Sequence, residues 1–322
     1  AMAASATRIL RTLVSTSKAP RLGRSAFSTA VGGHRSVASS TLPTSVQIND
    51  VAVTAAAGRG ASGRRSMATV CAGDALARLA SEHPHQEIIR YEHKNVKWTL
   101  KHVDYYADAL ATGLVDAGLK PGDKVLSWLP IHFAEQHILQ FACSKAGMVL
   151  YQLDPNPELA KSNPEKAKEA LAKALELTEA NVLFTQEAGD DVNYINLTAG
   201  VIPEVRIFDF GDGMPFFTPR YPHLRFPVHT GFTITDNEGM YLFKHFLVPS
   251  DDLEDRLRGA GCGDLDGKTP LLGELVCDAD GVPTKIGKVM TNEEVYKAKV
   301  WPEFTSILSR EYKEIPGVGV IL

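Results

Sequence analysis

Three side chains that could move protons stand close together near the middle of the chain. His132, Glu135 and His137 lie within one stretch of helical character. Imidazole and carboxylate groups are the side chains that most often act as general acids and bases. The alternative is that both histidines are ordinary surface or satisfied core residues of a structural helix. The spacing alone leaves both interpretations open.

The cysteines and histidines form no recognisable metal or redox motif. The four cysteines contain no CxxC pair, and the ten histidines show neither HxxxH nor HExxH spacing. We therefore expect four reduced thiols in or near the core, with no metal site and no disulfide framework. The cysteines are Cys71, Cys143, Cys262 and Cys277.

The charge of the chain is unevenly distributed. Residues 1–70 hold nine basic residues and one acidic residue, Asp50. Taking these from the 34 basic and 38 acidic residues of the whole chain leaves 25 and 37, a net charge of −12 for residues 71–322. Nucleic acids bind clustered Lys and Arg, so an acidic body argues against a nucleic-acid partner. The lysines of 159–173 alternate with glutamates, which favours a solvated helix face.

The first seventy residues have the composition of a targeting segment rather than of a folded domain. They are rich in Ala, Ser, Thr and Arg and nearly free of acidic residues, which is typical of an organellar transit peptide. A mitochondrion is favoured over a chloroplast. If the segment is retained, we expect an extended arm. No run of apolar residues is long enough to predict a transmembrane helix.

The body from Cys71 onward alternates between strand and helix patterns. A strand–helix–strand order predicts right-handed βαβ units on a mostly parallel sheet, and therefore an α/β domain over residues 71–322. Helices are predicted at 72–82, from the Thr99 cap to a stop at Gly118, at 133–146, from Asn163 to about 177, and at 292–309. Strands are predicted at 87–93, 95–100, 124–130, 148–154, 180–185 and from 271.

The segment that carries these elements resembles the opening of AMP-dependent acyl-CoA synthetases and their adenylating relatives. The shared features are a Thr-Leu helix start at Thr99, a Gly-Leu-x-x-x-Gly-Leu-x-Pro-Gly-Asp-x-Val turn from Gly113 to Val125, and Leu-Pro at 129–130. Lys-Ala-Gly-Met-Val at 145–149 completes the set. The resemblance covers roughly residues 75–190. It implies an incomplete N-terminal domain of that fold, with helices flanking a mostly parallel sheet.

The resemblance also implies a phosphate loop, in which hydroxyl and backbone N–H groups of the family hold the pyrophosphate of ATP. The candidate loop begins at Val276 and keeps a Gly-x-Pro core, but it has two aspartates and no Ser or Thr before Gly281. Like charges at ~4 Å repel by about 4 kcal/mol at an effective dielectric constant of about 20. We therefore expect a degenerate loop, a strand–turn–helix that binds no cofactor, with Asp278, Asp280, Gly281, Pro283, Lys285 and Gly287 as its residues.

The family's adenine-binding strand, ribose-binding acid and catalytic lysine would follow this loop, and the sequence ends at Leu322. The expectation is therefore a pseudoenzyme without catalytic residues. Its function would be that of a non-catalytic accessory subunit of a large mitochondrial assembly, a respiratory complex or the ATP synthase. It would lie in the matrix or peripherally on the inner membrane. Other subunits would be its partners, with lipid contact through the basic arm.

A second interpretation keeps the family's ligands. In this alternative the chain is an acyl-, CoA- or nucleotide-binding module, or half of an ATP-dependent acyl-CoA ligase that another chain completes.

Overall fold

The computed structural model describes residues 70–189, 192–209, 215–231 and 239–316. The expectations for the first seventy residues, a targeting segment or an extended arm, fall almost entirely outside this range. Within the described residues no helix is both long and apolar enough to cross a bilayer.

The first half of the domain follows the predicted order closely. Thr99 caps its helix through a reciprocal pair of hydrogen bonds with His102. Gly147 ends another helix with φ of 67°, a left-handed conformation in which glycine has no Cβ penalty. The elements are α1 (Ala72–Glu82), β1 (Glu87–Tyr91), β2 (Val96–Thr99), α2 (Leu100–Asp116), β3 (Lys124–Trp128), α3 (Ala134–Ala146) and β4 (Val149–Gln152), with a 3₁₀ turn at Glu92–Lys94.

The middle of the chain contains several short elements that the sequence patterns did not predict. Asn163 caps the longest helix of this part, as expected, and a proline begins it. The elements are α4 (Pro157–Ser162), α5 (Pro164–Thr178), β5 (Val182–Thr185), β6 (Ala188–Gly189), β7 (Val192–Asn193), α6 (Tyr194–Val201), β8 (Phe226–His229), β9 (Tyr241–Leu242) and α7 (Leu253–Leu257). Two 3₁₀ turns span Pro203–Arg206 and Phe243–Phe246, and a π turn spans Arg258–Cys262.

The last part of the described chain differs from its prediction in two places. The helix expected over 292–309 is two helices, because Lys299 adopts a left-handed conformation and Pro302 starts a new helix. The residues after the acidic turn form a long strand before any helix begins. The elements are β10 (Pro270–Cys277), β11 (Pro283–Thr291), α8 (Asn292–Ala298), α9 (Pro302–Ser309) and β12 (Lys313–Ile315).

The main sheet has seven strands in the order β11-β10-β4-β3-β5-β8-β9. Every neighbouring pair is parallel except β10 and β11, which form an antiparallel hairpin at one edge. A smaller sheet, β12-β1-β2, and the short β6-β7 pair complete the strands described. The predicted α/β fold with a mostly parallel sheet is confirmed.

The strands of the main sheet send alternate side chains to two separate cores. On β3, Val125 joins the core beneath α1, α2, α3 and α9, whereas Leu126 joins the core beneath α4, α5 and α6. The same alternation separates Val182 from Leu183 on β5. A parallel sheet covered on both faces needs such nearly continuous apolar strands.

The aromatic segment at 216–226 packs on the second core. Phe216, Tyr221 and Leu224 are buried there, whereas Phe217 is 60% exposed. Arg225 donates hydrogen bonds to the carbonyl oxygens of Ala117 and Gly118 at the end of α2.

A buried ion cluster joins α2 to α3. The Lys145 ammonium lies 2.8 Å from Asp104 Oδ1 and 2.5 Å from Asp108 Oδ1. Burial lowers the pKa of Lys145, but the two carboxylates raise it by more, so the lysine stays charged. Burial raises the pKa of Asp108 to about 6 despite the neighbouring lysine. Removing one partner of such a buried pair would leave an uncompensated charge.

We expect Gly113→Ala to lower the free energy of unfolding by about 1–3 kcal/mol. A Cβ at this position would lie 1.9 Å from the Phe246 carbonyl oxygen, so α2 and the neighbouring 3₁₀ turn must separate. Gly259→Ala is the matched control, because a Cβ there meets nothing within 4 Å. Urea denaturation measures both variants. Equal midpoints for the two would contradict the close approach.

Stability should depend on the protonation of Asp108. The pKa of its carboxyl rises from the ordinary 3.8 to about 6 on folding, so the folded state gains a proton between these values. The stability from this group is present below about pH 4 and is lost as the pH rises through 6. Asp108→Asn should remove roughly 1–3 kcal/mol of this pH dependence.

Urea denaturation between pH 4 and 7.5 measures how steeply the free energy of unfolding changes with pH in the wild type and in the variant. Asp116→Asn is the control on the same helix, since Asp116 is a half-exposed partner of Arg256. An unchanged slope in Asp108→Asn would exclude Asp108 as its source.

Candidate functional site

A cleft of about 430 Å³ lies at the carboxyl ends of β3 and β4, beside the middle of β10. Ligands of open α/β sheets characteristically bind outside the carboxyl ends of the strands, where loops rather than strands continue the chain. The cleft is lined by Leu129, Ile131, Gln152, Asp154, Leu272, Gly273, Glu274, Leu275, Met290, Val300 and Trp301.

Two local features bring the walls of this cleft together. On β10, Gly273 packs so closely on Tyr151 that a Cβ would lie 2.1 Å from the tyrosine ring, which lets the hairpin approach β4. Between α8 and α9, the turn at Lys299 directs Trp301 into the core beside Phe304. The hairpin and this turn therefore face each other across the sheet edge.

The polar side chains of the cleft are held by specific hydrogen bonds. The Trp301 indole N–H donates to Gln152 Oε1 over 3.2 Å. Glu274 Oε2 accepts the backbone N–H of Lys288, and Asp154 Oδ1 accepts the backbone N–H of Asn156, both at 3.2 Å. The cleft therefore combines an apolar floor with two carboxylates whose positions are set by backbone groups.

The residues of the predicted phosphate loop lie together at the tip of the β10–β11 hairpin. Gly281 has φ of 82°, which suits glycine in a tight turn. The Asp278 carboxylate accepts the backbone N–H groups of Asp280 and Val282, each at 2.9 Å. The N–H groups of this turn that could hold a phosphate oxygen are thus occupied by the turn's own aspartate.

The other predicted loop residues belong to the hairpin strand. Pro283 begins β11 opposite Cys277, and Lys285 pairs with Val276 within the sheet. A Cβ at Gly287 would lie 2.4 Å from Glu274 Oε2, so Gly287 admits the Glu274 side chain beside the strand. The predicted strand and turn are confirmed, but the prediction that a helix follows the turn directly is wrong. Thr284, Ile286 and other β-favouring residues continue as a nine-residue strand instead.

The aspartates of the acidic turn are exposed, whereas Val282 at its end is buried. Asp280 contacts the ammonium group of Lys166 on α5. Cys277, next to the turn, is an exposed thiol. Partial desolvation of its sulfur and the charges of Asp278 and Asp154 raise the pKa of Cys277, which disfavours the reactive thiolate.

The histidines at 132 and 137 lie in different environments. The Nδ1 atom of His137 lies 3.0 Å from the Tyr91 hydroxyl, and the ring is fully buried. Burial, with a smaller contribution from His132, lowers the pKa of His137 to about 3. His132 lies instead near the surface, 3.9 Å from Glu303. His137 is therefore a core residue of α3, whereas His132 precedes this helix near the surface.

The cleft residues were missed by motif reasoning. Gln152 and Asp154 end a strand that the sequence predicted, and the carboxyl ends of parallel strands meet at one sheet edge. The rule that ligands bind at this edge could therefore have identified Gln152 and Asp154 as candidate site residues. Trp301 and Glu274 carry no comparable signal, because the hairpin and the turn between α8 and α9 were not predicted.

A protein-family model described as AMP-binding enzyme matches residues 76–209. A putative acyl-CoA synthetase of Bacillus subtilis is 24% identical over 159 residues, which cover 49% of this chain and 27% of that protein. The mitochondrial medium-chain acyl-CoA ligase of Bos taurus is 27% identical over 133 residues, 41% of this chain and 20% of that protein. The chain thus spans about a quarter of the length of these relatives.

Solved structures agree on the fold. An acetoacetyl-CoA synthetase from Streptomyces lividans matches with a TM-score of 0.56 and 15% identity, over 78% of this chain and 39% of its own. A luciferase-like enzyme from the mealworm Zophobas morio matches with a TM-score of 0.55 and 12% identity, over 80% and 56%. The chain has an α/β fold that resembles the N-terminal domain of adenylate-forming acyl-CoA synthetases.

These findings correct the expected function. The prediction of a non-catalytic accessory subunit, and with it the pseudoenzyme, is wrong, because the family model and the relatives above are synthetases and ligases. They support the second interpretation, an acyl- or nucleotide-binding synthetase-like chain. A degenerate turn is one loop, and neither it nor the end of the sequence determines whether the chain is part of an enzyme.

We expect Asp278→Ala to loosen the hairpin tip. The variant loses the acceptor for two backbone N–H groups, so their amide exchange should accelerate roughly tenfold, the equivalent of about 1.4 kcal/mol. Asp280→Ala removes only an exposed ion pair and should leave these amides slow. Hydrogen–deuterium exchange measures both. Strong protection of the wild-type turn by added pyrophosphate would instead identify it as a phosphate site.

Proposed function

We propose that this chain supplies the N-terminal, acyl-substrate-binding part of an ATP-dependent acyl-CoA ligase. The observation that carries the proposal is the cleft at the carboxyl edge of a sheet whose fold resembles that of adenylate-forming synthetases. Its volume is within the range of small-molecule sites. Leu129, Leu272 and Trp301 offer an apolar floor for a hydrocarbon chain.

The proposal assigns the acyl group, rather than the phosphates, to the described residues. The turn at 278–282 directs its backbone N–H groups at Asp278, and Asp280 adds a second negative charge. The chain spans about a quarter of the length of its relatives. That it takes part in the complete activation of an acid is therefore itself part of the proposal. Groups outside the described residues or a second chain would complete it.

We further propose a mitochondrial location, in the matrix or peripherally on the inner membrane. Two observations support it. Residues 1–70 are rich in Arg, Ser and Ala and poor in acid. One of the relatives is named as a mitochondrial ligase.

Thermal unfolding of the full chain tests ligand binding. Octanoate, its CoA thioester and their 8-amino analogues are compared with ATP–Mg²⁺. An acyl ligand at a hundred times its dissociation constant should stabilise the chain by about 2.7 kcal/mol. Val300→Trp should weaken this binding at least tenfold, because Val300 lines the rim of the cleft and a larger side chain there would fill it.

Val289→Trp is the matched control. Val289 is exposed to a similar extent on β11, at 40% against 37% for Val300, but it does not line the cleft. Absence of a shift with every acyl ligand would overturn the proposal. Equal effects of the two variants would place the acyl group elsewhere.

Catalysis is measured separately, as release of pyrophosphate from ATP that depends on an added carboxylic acid such as octanoate. Both the purified chain and the native assembly captured from mitochondria are assayed. Release that Val300→Trp suppresses supports the ligase. No release from either preparation would refute the enzymatic part of the proposal.

A further inference from the structure

The apolar part of the cleft consists of a buried floor and a partly exposed rim. Leu129 and Trp301 are almost fully buried at the floor, whereas Ile131 and Val300 on the rim are each 37% exposed. A hydrocarbon ligand that enters the cleft covers these aliphatic side chains. The apolar surface therefore suits an acyl chain, and the selection among acyl chains falls to the polar groups of the cleft.

One of these polar groups, the amide of Gln152, has an orientation fixed by its neighbour. The Trp301 indole carries a donor and no acceptor, so the amide oxygen of Gln152 has to face it. The structure has this arrangement, with the indole N–H donating to Gln152 Oε1 over 3.2 Å. The amide nitrogen, Nε2, consequently points away from the indole.

Trp301 is itself held in one position. It is 3% exposed, and its ring packs edge to face on Phe304, with 5.4 Å between the ring centroids. Its carbonyl oxygen accepts the backbone N–H of Thr305 in the first turn of α9. Because the indole cannot turn without leaving the core, it keeps the amide of Gln152 in its orientation.

The amide nitrogen of Gln152 has two N–H donors and no acceptor among the residues that the structure describes. Gln152 ends β4, is half-buried and lines the cleft. A hydrocarbon chain that covers the cleft excludes water from this nitrogen. An unsubstituted chain then leaves the donors unpaired, which costs free energy, whereas a chain with an oxygen in the right place accepts from them.

The charge of that oxygen is restricted by the rest of the cleft. The carboxylates of Asp154 and Glu274 line the same surface. A further ionised group among them would be repelled, whereas an uncharged oxygen would not.

We propose that Gln152 is a specificity-determining residue, and that its amide N–H group, positioned by Trp301, donates a hydrogen bond to an uncharged oxygen on the acyl chain. The preferred substrates are oxo or hydroxy acids rather than unsubstituted fatty acids. This inference rests on the proposed function, because it takes the cleft as the acyl site.

Isothermal titration of the full chain with octanoate and with its 3-, 5- and 7-oxo and hydroxy derivatives tests the proposal. Each probe is used as the free acid and as the CoA thioester. The probes share one chain length and differ only in the added oxygen. The best oxygenated probe should bind roughly three- to tenfold more tightly than the unsubstituted one, which is the net effect of one hydrogen bond.

Two variants test the residues in named roles. Gln152→Met keeps the length of the side chain and removes its donors, so the preference should disappear. Trp301→Phe keeps an aromatic ring beside Phe304 and removes the N–H, so the amide is free to turn and most of the preference should be lost. The readout is the ratio of two dissociation constants in the same variant, which a general loss of packing does not change.

Each variant has a matched control. Gln86→Met repeats the first change at a glutamine outside the cleft, whose amide donates to the Arg310 carbonyl oxygen. Trp98→Phe repeats the second change at a tryptophan that is 2% exposed in the core beneath α2. Both controls should retain the wild-type preference. Thermal unfolding confirms that the variants compared are folded.

The outcomes separate this inference from the function on which it rests. A preference that Gln152→Met abolishes and both controls retain supports the inference. Equal binding of the unsubstituted and all oxygenated probes, or a preference that persists in Gln152→Met, overturns it and leaves the acyl-binding function intact. A preference that Trp301→Phe retains in full overturns the role assigned to Trp301. Failure of every acyl probe to bind overturns both the inference and the proposed function.

Discussion

The parallel pairing of β3 with β4 on one side and β5 on the other is the constraint on which the rest of the domain depends. Parallel neighbours require crossover helices, and these cover both faces of the sheet. α3 crosses on one face and α5 on the other, which produces the two separate cores. The same pairing aligns the carboxyl ends of the strands, so the loops that can bind a ligand meet at one edge.

The helices α1, α2, α3 and α9 pack closely on one face of the sheet, and several of their polar groups are buried there. α3 is buried along its whole length, including Lys145, and the structure satisfies this lysine with two aspartates of α2. Ser144 on the same helix accepts the Gly73 N–H and donates to Asn292, which joins α1, α3 and α8. Buried polar groups cost free energy unless they are paired, so these contacts determine how the helices align.

The edge of the sheet at the β10–β11 hairpin carries several carboxylates. Asp278 occupies the N–H groups of the hairpin turn, and Glu274 and Asp154 make the adjoining cleft acidic. The fold resembles that of the N-terminal domain of adenylate-forming synthetases. The core of such a fold depends on apolar burial, whereas the charge at the sheet edge depends on a few exposed side chains, so the two can vary independently.

Local sequence signals determined the elements of the first half and the fold class. Thr99 and Asn163 are helix caps, and Gly147 ends a helix, for reasons that reside in a few neighbouring residues. The division of the last helical segment also has a local signal, because Pro302 begins the second helix. Only the tertiary structure decided the hairpin and the cleft. Glu274, Trp301 and Gln152 are far apart in sequence and meet because β10 adds to the sheet beside β4. Such long-range pairing depends on how several elements bury their apolar faces together, which no local pattern records.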